Sequence, residues 1–315
     1  MPRLTLAELE RRCQKPDYRQ SGNWMARRIS RPAALHVTWV IAPSGVSAHA
    51  VTGLATAVAL AAACCFGIGT NGTCFVGALL LQAWYLLDHV DGQVARLNGT
   101  ASLDGIQLDY LMHHVVNLAV PFSLGYGAGR NGGEAWLLLG CAFALGLLLI
   151  GLANDTRYKA FIARLKQLEG PLLVQRRVAE EAAANHHGTS WLQAKLRQAA
   201  YLARKLCEIH VVMNAVTVIA IFQCLIAQAL PIKVYLAIMS PLALVTAVAV
   251  LVRDVRRQAA EQDFAAWFAP CRRESNTPTP GNVVRRTSQA TASGTTVSGR
   301  QAATNEAFGC GCQSE

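Results

Sequence analysis

The sequence has few charged residues for its length. Asp, Glu, Lys and Arg make up 15% of its 315 residues, against about 25% in a typical soluble domain. It contains ten cysteines but no CxxC pair, so neither a zinc site nor a disulfide framework is expected. The first residues lack the apolar core of a signal peptide, and no cleavage is expected. With 52% hydrophobic residues and a mean hydropathy of +0.27, the composition argues against an ordinary soluble enzyme and disfavours a disordered protein.

Long apolar segments predict an all-α integral membrane protein with six transmembrane helices. Each segment is close to the roughly 20 residues that a helix needs to cross a bilayer. They are Ala48–Ile68, Cys74–Leu97, Leu103–Tyr126, Trp136–Ala153, Val211–Leu230 and Val234–Val252. Polar residues interrupt the second and third. A basic amphipathic segment at 18–40 predicts a cytoplasmic helix on the membrane surface before the first span. The alternative is a helix packed on the protein's own body.

The basic residues, which give a net charge of +10, indicate an orientation rather than a nucleic-acid partner. The loops after spans one, three and five contain only Arg130 and Lys233 of the 29 basic residues. By the positive-inside rule, both termini of this multi-pass protein are cytoplasmic, in the inner or plasma membrane if the source is bacterial. We expect an amino-terminal and juxtamembrane segment at 1–45, a six-span domain at 46–253 and a disordered cytoplasmic tail at 254–315.

Polar residues inside the second and third predicted spans are the exception to the apolar pattern. Ionisable side chains within a span cost roughly 2.5–3.5 kcal/mol each, so they usually serve a function. Helical spacing places those of each span on one face. These are Asp88, Asp91 and Ala95, with Gly92 and Arg96 beside them, and then Gly105, Asp109, His113 and Asn117. The two stripes are expected to face each other at the cytoplasmic ends of the two helices.

Three carboxylates in one pocket repel each other and require a compensating cation. A hard divalent ion, Mg²⁺ or Mn²⁺, suits their oxygen atoms. An arginine and glycines beside such an ion are suited to a phosphate or pyrophosphate group. The alternative is a structural cluster in which Arg96 pairs with the aspartates and joins the two helices.

These residues resemble the motif of the CDP-alcohol phosphotransferases, also called CDP-alcohol phosphatidyltransferases. The motif reads Asp-x2-Asp-Gly-x2-Ala-Arg, then eight residues, then Gly-x3-Asp-x3-Asp. Seven positions match in identity and spacing: Asp88, Asp91, Gly92, Ala95, Arg96, Gly105 and Asp109. His113 stands where the family has its final aspartate. The resemblance extends over roughly residues 24–252, and Val51-Thr52 resembles the family's entry to its first span, although the family's proline is absent.

The resemblance implies a transferase of phospholipid biosynthesis that releases CMP from a CDP-activated donor. It assigns divalent metal, one or two Mg²⁺ or Mn²⁺ ions, to Asp88, Asp91, Asp109 and His113. Gly92, Ala95, Arg96 and Gly105 would form the nucleotide pocket. Asp109 and His113 would be catalytic, with His113 as the general base in place of the family's last carboxylate, since imidazole is a competent base near neutral pH.

The resemblance also implies partners. The donor would be CDP-diacylglycerol-like or another CDP-alcohol, in contact with membrane lipids, and the protein would form a homodimer. The sequence does not identify the acceptor alcohol. Two alternatives stay open: a catalytically altered or silent relative that binds CDP-lipids, and a cation-linked transporter whose buried acids form an ion path.

Overall fold

The computed structural model describes residues 4–15, 18–20, 22–130, 132–168, 172–174 and 191–270. Most of the predicted tail, residues 271–315, lies outside the described residues, as does 175–190 in the long loop. The described part of the chain is almost entirely helical, as the sequence predicts. Its helices are α1 (Leu6–Cys13), α2 (Arg31–Ile41), α3 (Ala48–Ile68), α4 (Asn71–Leu97), α5 (Leu103–Gly129), α6 (Ala135–Leu165), α7 (Trp191–Leu206), α8 (Ile209–Ile226), α9 (Leu230–Arg256) and α10 (Ala259–Trp267).

Five of the six predicted spans are helices that are long and apolar enough to cross a membrane. These are α3, α4, α6, α8 and α9, counted within the described residues. The third predicted span, α5, is a helix of 27 residues but does not reach the same apolar content. Its amino-terminal half carries Asp109, His113 and His114, and these polar side chains lower its hydropathy. The polar stripe that suggested a functional site is therefore also what weakens the span.

The long helices pack in a closed ring. α3 packs against both α4 and α5, α5 against α6, α6 against α9, α9 against α8, and α8 against α4. The shared core contains Trp84, Phe143, Met213 and Leu236, each at most 1% exposed. Because α5 lies between α3 and α6, this more polar helix is an integral member of the bundle.

Hydrogen-bonding side chains mark where the long helices begin. Ser47, Thr70 and Ser102 each accept a hydrogen bond from a backbone amide in the first turn of α3, α4 and α5. Such caps satisfy amides that have no partner within the helix. Ser102 ends the short loop after α4 and thereby fixes where the polar stripe of α5 starts.

Glycines bring α3, α5 and α6 into close backbone contact. A Cβ atom at Gly127 of α5 would lie 2.1 Å from the carbonyl oxygen of Phe66 in α3. A Cβ atom at Gly125 would lie 2.5 Å from the Cα atom of Gly140 in α6. Larger residues would push these helices apart, so the glycines set the distance of α5 from both neighbours.

The amino-terminal segment is helical and packs on the bundle. Residues 24–41 run through a π-helical turn at Ala26–Ser30 into α2, which packs against α4. α1 packs on both α2 and α4. A helix therefore precedes the first span, and it contacts the protein's own body; its place relative to a membrane surface stays a prediction.

A cluster of ion pairs joins the carboxyl-terminal end of α6 to α9 and α10. Arg157 contacts the carboxylates of Asp254, at 2.5 Å, and Asp263, at 2.8 Å. Phe264 of α10 packs edge-on against Phe161 of α6. Next to this cluster, a short antiparallel pair forms between β1 (Leu172–Val174) and β2 (Phe268–Pro270). The helix α10 and strand β2 lie inside the range predicted as a disordered tail, whose bounds stay a prediction.

We expect Gly127→Ala to lower the stability of the bundle by about 1–3 kcal/mol, because the added methyl group meets backbone atoms that cannot move separately. The matched control is Gly53→Ala in α3, where a Cβ atom has no neighbour within 4 Å. That change should be neutral or stabilising by up to ~1 kcal/mol. Thermal unfolding of the purified protein in detergent measures both, and equal melting temperatures would contradict the close contact.

Candidate functional site

The two polar stripes lie in the last turns of α4 and the first half of α5 and meet through their side chains. Asp88 lies about two and a half turns before the end of α4, while Asp109 and His113 occupy successive turns of α5. α3 packs against both helices and closes one side of the site. The stripes thus meet as the spacing predicts, but a third helix contributes to the site.

Three of the four predicted metal ligands come together. His113 Nε2 lies 3.1 Å from Asp88 Oδ1 and 3.5 Å from Asp109 Oδ1. One ligand atom from each residue lies within 4.8 Å of the others. The side chain of Asp88 is 18% exposed and that of Asp109 41%, so the group opens on the Asp109 side.

Asp91, the fourth predicted ligand, lies outside this group of three. It is buried, at 9% exposure, and its Oδ2 atom accepts a hydrogen bond of 2.7 Å from Thr52 of α3. The sequence offered one indication of this contact, because Val51-Thr52 belongs to the stretch that resembles the family's first span. The hydroxyl of Thr52 therefore fixes a carboxylate that could otherwise turn toward Asp88.

The side chain of Arg96 is bound to the end of α1 rather than to a carboxylate. Its Nε atom donates a 2.5 Å hydrogen bond to the backbone carbonyl of Cys13 at the end of α1. The guanidinium lies over Gly92, where a Cβ atom would be 3.4 Å from Nη1 and 3.5 Å from Nη2. Among the described residues Arg96 forms no ion pair. The alternative in which Arg96 pairs with the aspartates is therefore not the arrangement observed.

The remaining predicted pocket residues occupy the rim of the site. Gly105 lies in the first turn of α5, and its amide donates a 3.1 Å hydrogen bond to Ser102 Oγ. Ala95 is in the last turns of α4 and is half-buried. The small side chains at these positions take up little space beside the motif.

Sequence reasoning missed two further contacts of the site. The ring of Trp84 packs edge-on against His113, with ring centroids 5.5 Å apart. His114 Nε2 lies 2.6 Å from Asp155 Oδ2 of α6. The Trp84 ring restricts the orientation of His113, while the pair of His114 and Asp155 connects α5 to α6 one residue further on. Neither contact has a signature in local spacing, because both depend on how helices pack.

A second charged cluster lies near the carboxyl-terminal ends of α6, α7 and α9. Arg204 of α7 donates a hydrogen bond of 3.3 Å to Asn154, and Lys205 pairs with Glu208 at 3.0 Å. Burial lowers the pKa of Arg204, and the nearby charges of Arg253 and Arg157 lower it further. These groups lie outside the motif of α4 and α5.

Two carboxylates and one imidazole form a donor set that fits a divalent cation. Carboxylate oxygens suit Mg²⁺ and Mn²⁺, and an imidazole nitrogen is better tolerated by Mn²⁺ than by the harder Mg²⁺. The Nε2 atom of His113 is oriented toward both carboxylates, as a shared ion would require. The same closeness also lets a protonated His113 contact both carboxylates and balance the charge of one of them.

Comparison with known families agrees with the motif. The family model of CDP-alcohol phosphatidyltransferase matches residues 43–167. The match runs from the end of α2 through α6 and includes every predicted site residue. It confirms the resemblance over these residues, which are less than half of the chain; residues 24–42 and 168–252 are not part of it.

The CDP-alcohol phosphatidyltransferase match carries a functional statement at the level of the family. It supports a role in phosphatidyl transfer during phospholipid synthesis, in an integral membrane protein with several spans. The family uses divalent metals, and the group of Asp88, Asp109 and His113 is a possible site for one. A search of curated proteins finds no match to the chain.

We expect Asp88→Asn and His113→Ala each to weaken Mn²⁺ binding by at least about tenfold, because each removes one ligand of a small set. The control is Asp104→Asn, an exposed carboxylate in the first turn of the same helix α5, which should leave binding unchanged. Electron paramagnetic resonance of free Mn²⁺ during titration of the purified protein measures the affinity. Equal affinities in all four proteins would contradict a metal site at this position.

Proposed function

We propose that the protein is a membrane phosphotransferase that moves a phosphatidyl-like group from a CDP-activated donor to an acceptor alcohol and releases CMP. The observation that carries the proposal is the convergence of Asp88, Asp109 and His113 within reach of one ion. The family match over 43–167 supports the reaction class.

In the proposed step the acceptor hydroxyl oxygen attacks the phosphorus atom that bears the lipid. A new P–O bond forms to the acceptor, and the bond from that phosphorus to the bridging oxygen of the pyrophosphate breaks. CMP departs with the bridging oxygen and its electron pair. The proton of the hydroxyl group goes to His113, so the atoms and charges of the step balance.

The residues of α4 and α5 divide the work of this step. During the step Asp88 and Asp109 would hold the divalent ion, with Asp91 completing the ligands if it leaves Thr52, so that the Nε2 atom of His113 keeps its lone pair for the proton. When bound, such an ion polarises phosphoryl oxygens and stabilises the charge of the leaving group. Asp109 Oδ1 lies 3.5 Å from His113 Nε2 and stabilises the imidazolium that forms when His113 takes the proton.

The nucleotide would lie at the rim beside α4. The Nη nitrogens of Arg96 over Gly92 can bind phosphate oxygens in a fork, as guanidinium groups commonly do. Gly92, Ala95 and Gly105 provide room because their side chains are small. The lipid chains of a donor such as CDP-diacylglycerol would lie among the helices within the bilayer.

One observation favours a second candidate, a silent relative that binds CDP-lipids without turnover. A protonated His113 contacts both carboxylates and can replace the positive charge of an ion. In that state the two carboxylates and the imidazolium would together keep a single net negative charge without a metal, and His113 would have no lone pair to accept a proton. The exchange of one carboxylate for imidazole is thus the feature that separates the two candidates.

We expect the purified protein with Mn²⁺ and CDP-diacylglycerol to release CMP in the presence of a suitable alcohol, and His113→Ala to lower the rate by about 100-fold or more, because a general base is lost. His113→Asp should restore turnover with Mg²⁺, since a carboxylate suits that ion. Asp104→Asn is the matched control and should turn over at the wild-type rate. CMP is measured directly by chromatography.

Three outcomes of that assay would redirect the assignment. CMP release only after His113→Asp would indicate a silent relative. Cation flux into liposomes without CMP release from any variant would indicate a transporter. Unchanged CMP release by Asp109→Ala would exclude this site as the catalytic one.

We also propose that α5 crosses the membrane, so that six spans put both termini and the loop between α4 and α5 on the same side. By the positive-inside rule that side is the cytoplasm. The position of α5 between two apolar helices of a closed ring supports six spans. The resemblance further suggests a homodimer.

A cysteine at Glu134, in the loop after α5, should then react with an impermeant maleimide from outside the cell, while a cysteine at Asn98 should react only after permeabilisation. Both positions lie at loops next to helix ends. Labelling is measured by mass spectrometry of the modified peptide, and equal labelling of the two positions from outside would contradict six spans.

A further inference from the structure

The side chain of Arg96 is held by a part of the chain far from the motif. The Nε atom donates to the carbonyl of Cys13, 83 residues away in the sequence, at 2.5 Å. Cys13 is the last residue of α1, so its carbonyl has no intrahelical donor and is free to accept from a side chain. The bond therefore uses an acceptor that the end of a helix provides.

α1 is docked firmly enough to position this carbonyl. Leu9 and Cys13 are fully buried and pack with Leu35 of α2. Trp39 of α2 donates from Nε1 to the carbonyl of Leu4 at 2.9 Å, which holds the start of the helix as well. Both ends of this eight-residue helix are thus fixed against α2 and the inner end of α4.

The bond to Cys13 also decides what Arg96 does with its other nitrogens. Near three carboxylates in surroundings of low dielectric, a guanidinium would be expected to form an ion pair with one of them. Instead Nη1 and Nη2 lie over Gly92. Among the described residues these two nitrogens have no hydrogen-bond partner. They are the donors that remain for phosphate oxygens.

We propose that α1 is a positioning element for the donor site, in which the carbonyl of Cys13 holds Arg96 so that its two Nη nitrogens face the pyrophosphate of a CDP-activated donor. This inference rests on the proposed function. A guanidinium that is oriented beforehand loses less conformational freedom when the ligand binds, so the affinity for the donor is higher. Cys13 and Leu9 act through Arg96 and do not touch the reacting atoms.

The first test loosens α1 while leaving the motif intact. Leu9→Ala removes the buried anchor, and Leu6→Ala makes the same change on the same helix at a side chain that is 38% exposed. We expect Leu9→Ala to raise the KM for CDP-diacylglycerol about tenfold, the effect of losing one hydrogen bond to a charged group. The kcat and the KM for the acceptor should stay unchanged. Leu6→Ala should match the wild type in all three parameters.

A double-mutant cycle separates positioning from a general loss of stability. Lysine at position 96 keeps the charge but lacks the Nε donor of arginine. In the Arg96→Lys background, Leu9→Ala should therefore raise the donor KM no further. Additive effects on KM, or a lower kcat with the donor KM unchanged, would show that α1 only stabilises the fold and would overturn the inference.

Labelling of Cys13 provides a readout that does not depend on turnover. Burial raises the pKa of the Cys13 thiol, so in the docked helix it is both shielded and protonated. Arg96→Lys should increase its rate of reaction with maleimide, followed by mass spectrometry of the peptide that contains it. CDP-diacylglycerol should slow labelling in the wild type and not in Arg96→Lys, because coupling between two sites is reciprocal.

The two readouts distinguish failure of the inference from failure of the proposed function. If the wild type releases no CMP but Arg96→Lys speeds labelling and the donor slows it in the wild type, the positioning role holds for a binding protein. If labelling is the same in both proteins, with and without the donor, α1 is not coupled to Arg96 and the inference is wrong, whatever the protein catalyses.

Discussion

Charge balance among Asp88, Asp109 and His113 is the constraint on which the rest of this bundle depends. Two carboxylates that approach one imidazole within 3.1–3.5 Å cannot remain charged in an apolar helix bundle without compensation. A protonated His113 balances one of the two carboxylates, whereas a divalent ion that all three residues hold balances both. The other charged groups of the motif are kept apart from this balance, since Thr52 binds Asp91 and the end of α1 binds Arg96.

The apolar framework makes this arrangement possible by fixing α5 to its neighbours. Gly127 and Gly125 allow the backbone of α5 to contact the backbones of α3 and α6 in the carboxyl-terminal half of α5. Contacts this close leave little room for α5 to slide or rotate, so its amino-terminal half keeps the same face toward α4. The polar, amino-terminal half of α5 can then carry groups that do not contribute to packing, because the apolar, carboxyl-terminal half makes the packing contacts.

Sequence patterns predicted the helices and the central group of the site, since both follow from local periodicity. Apolar runs located the spans, and the spacing of Asp109 and His113 placed them on one face toward Asp88. The partners of Asp91 and Arg96 could not be predicted in this way. Thr52 and Cys13 belong to other helices, and their contacts follow from how α3 and α1 dock. The polar content of α5, visible in the sequence, lowers its hydropathy below that of the other five long helices. The proposal that α5 is a span therefore also relies on its packing between α3 and α6.

Arg157 joins α6 to two carboxylates that approach it from different elements, one at the end of α9 and one on α10. Its planar guanidinium serves both at once, because each carboxylate takes a different nitrogen. A lysine would conserve the net charge of the region but would lack this fixed fork of donors. At this joint the shape of the cation as well as its charge positions α10 against α6 and α9, and the packing of Phe264 on Phe161 adds an apolar contact at the same place.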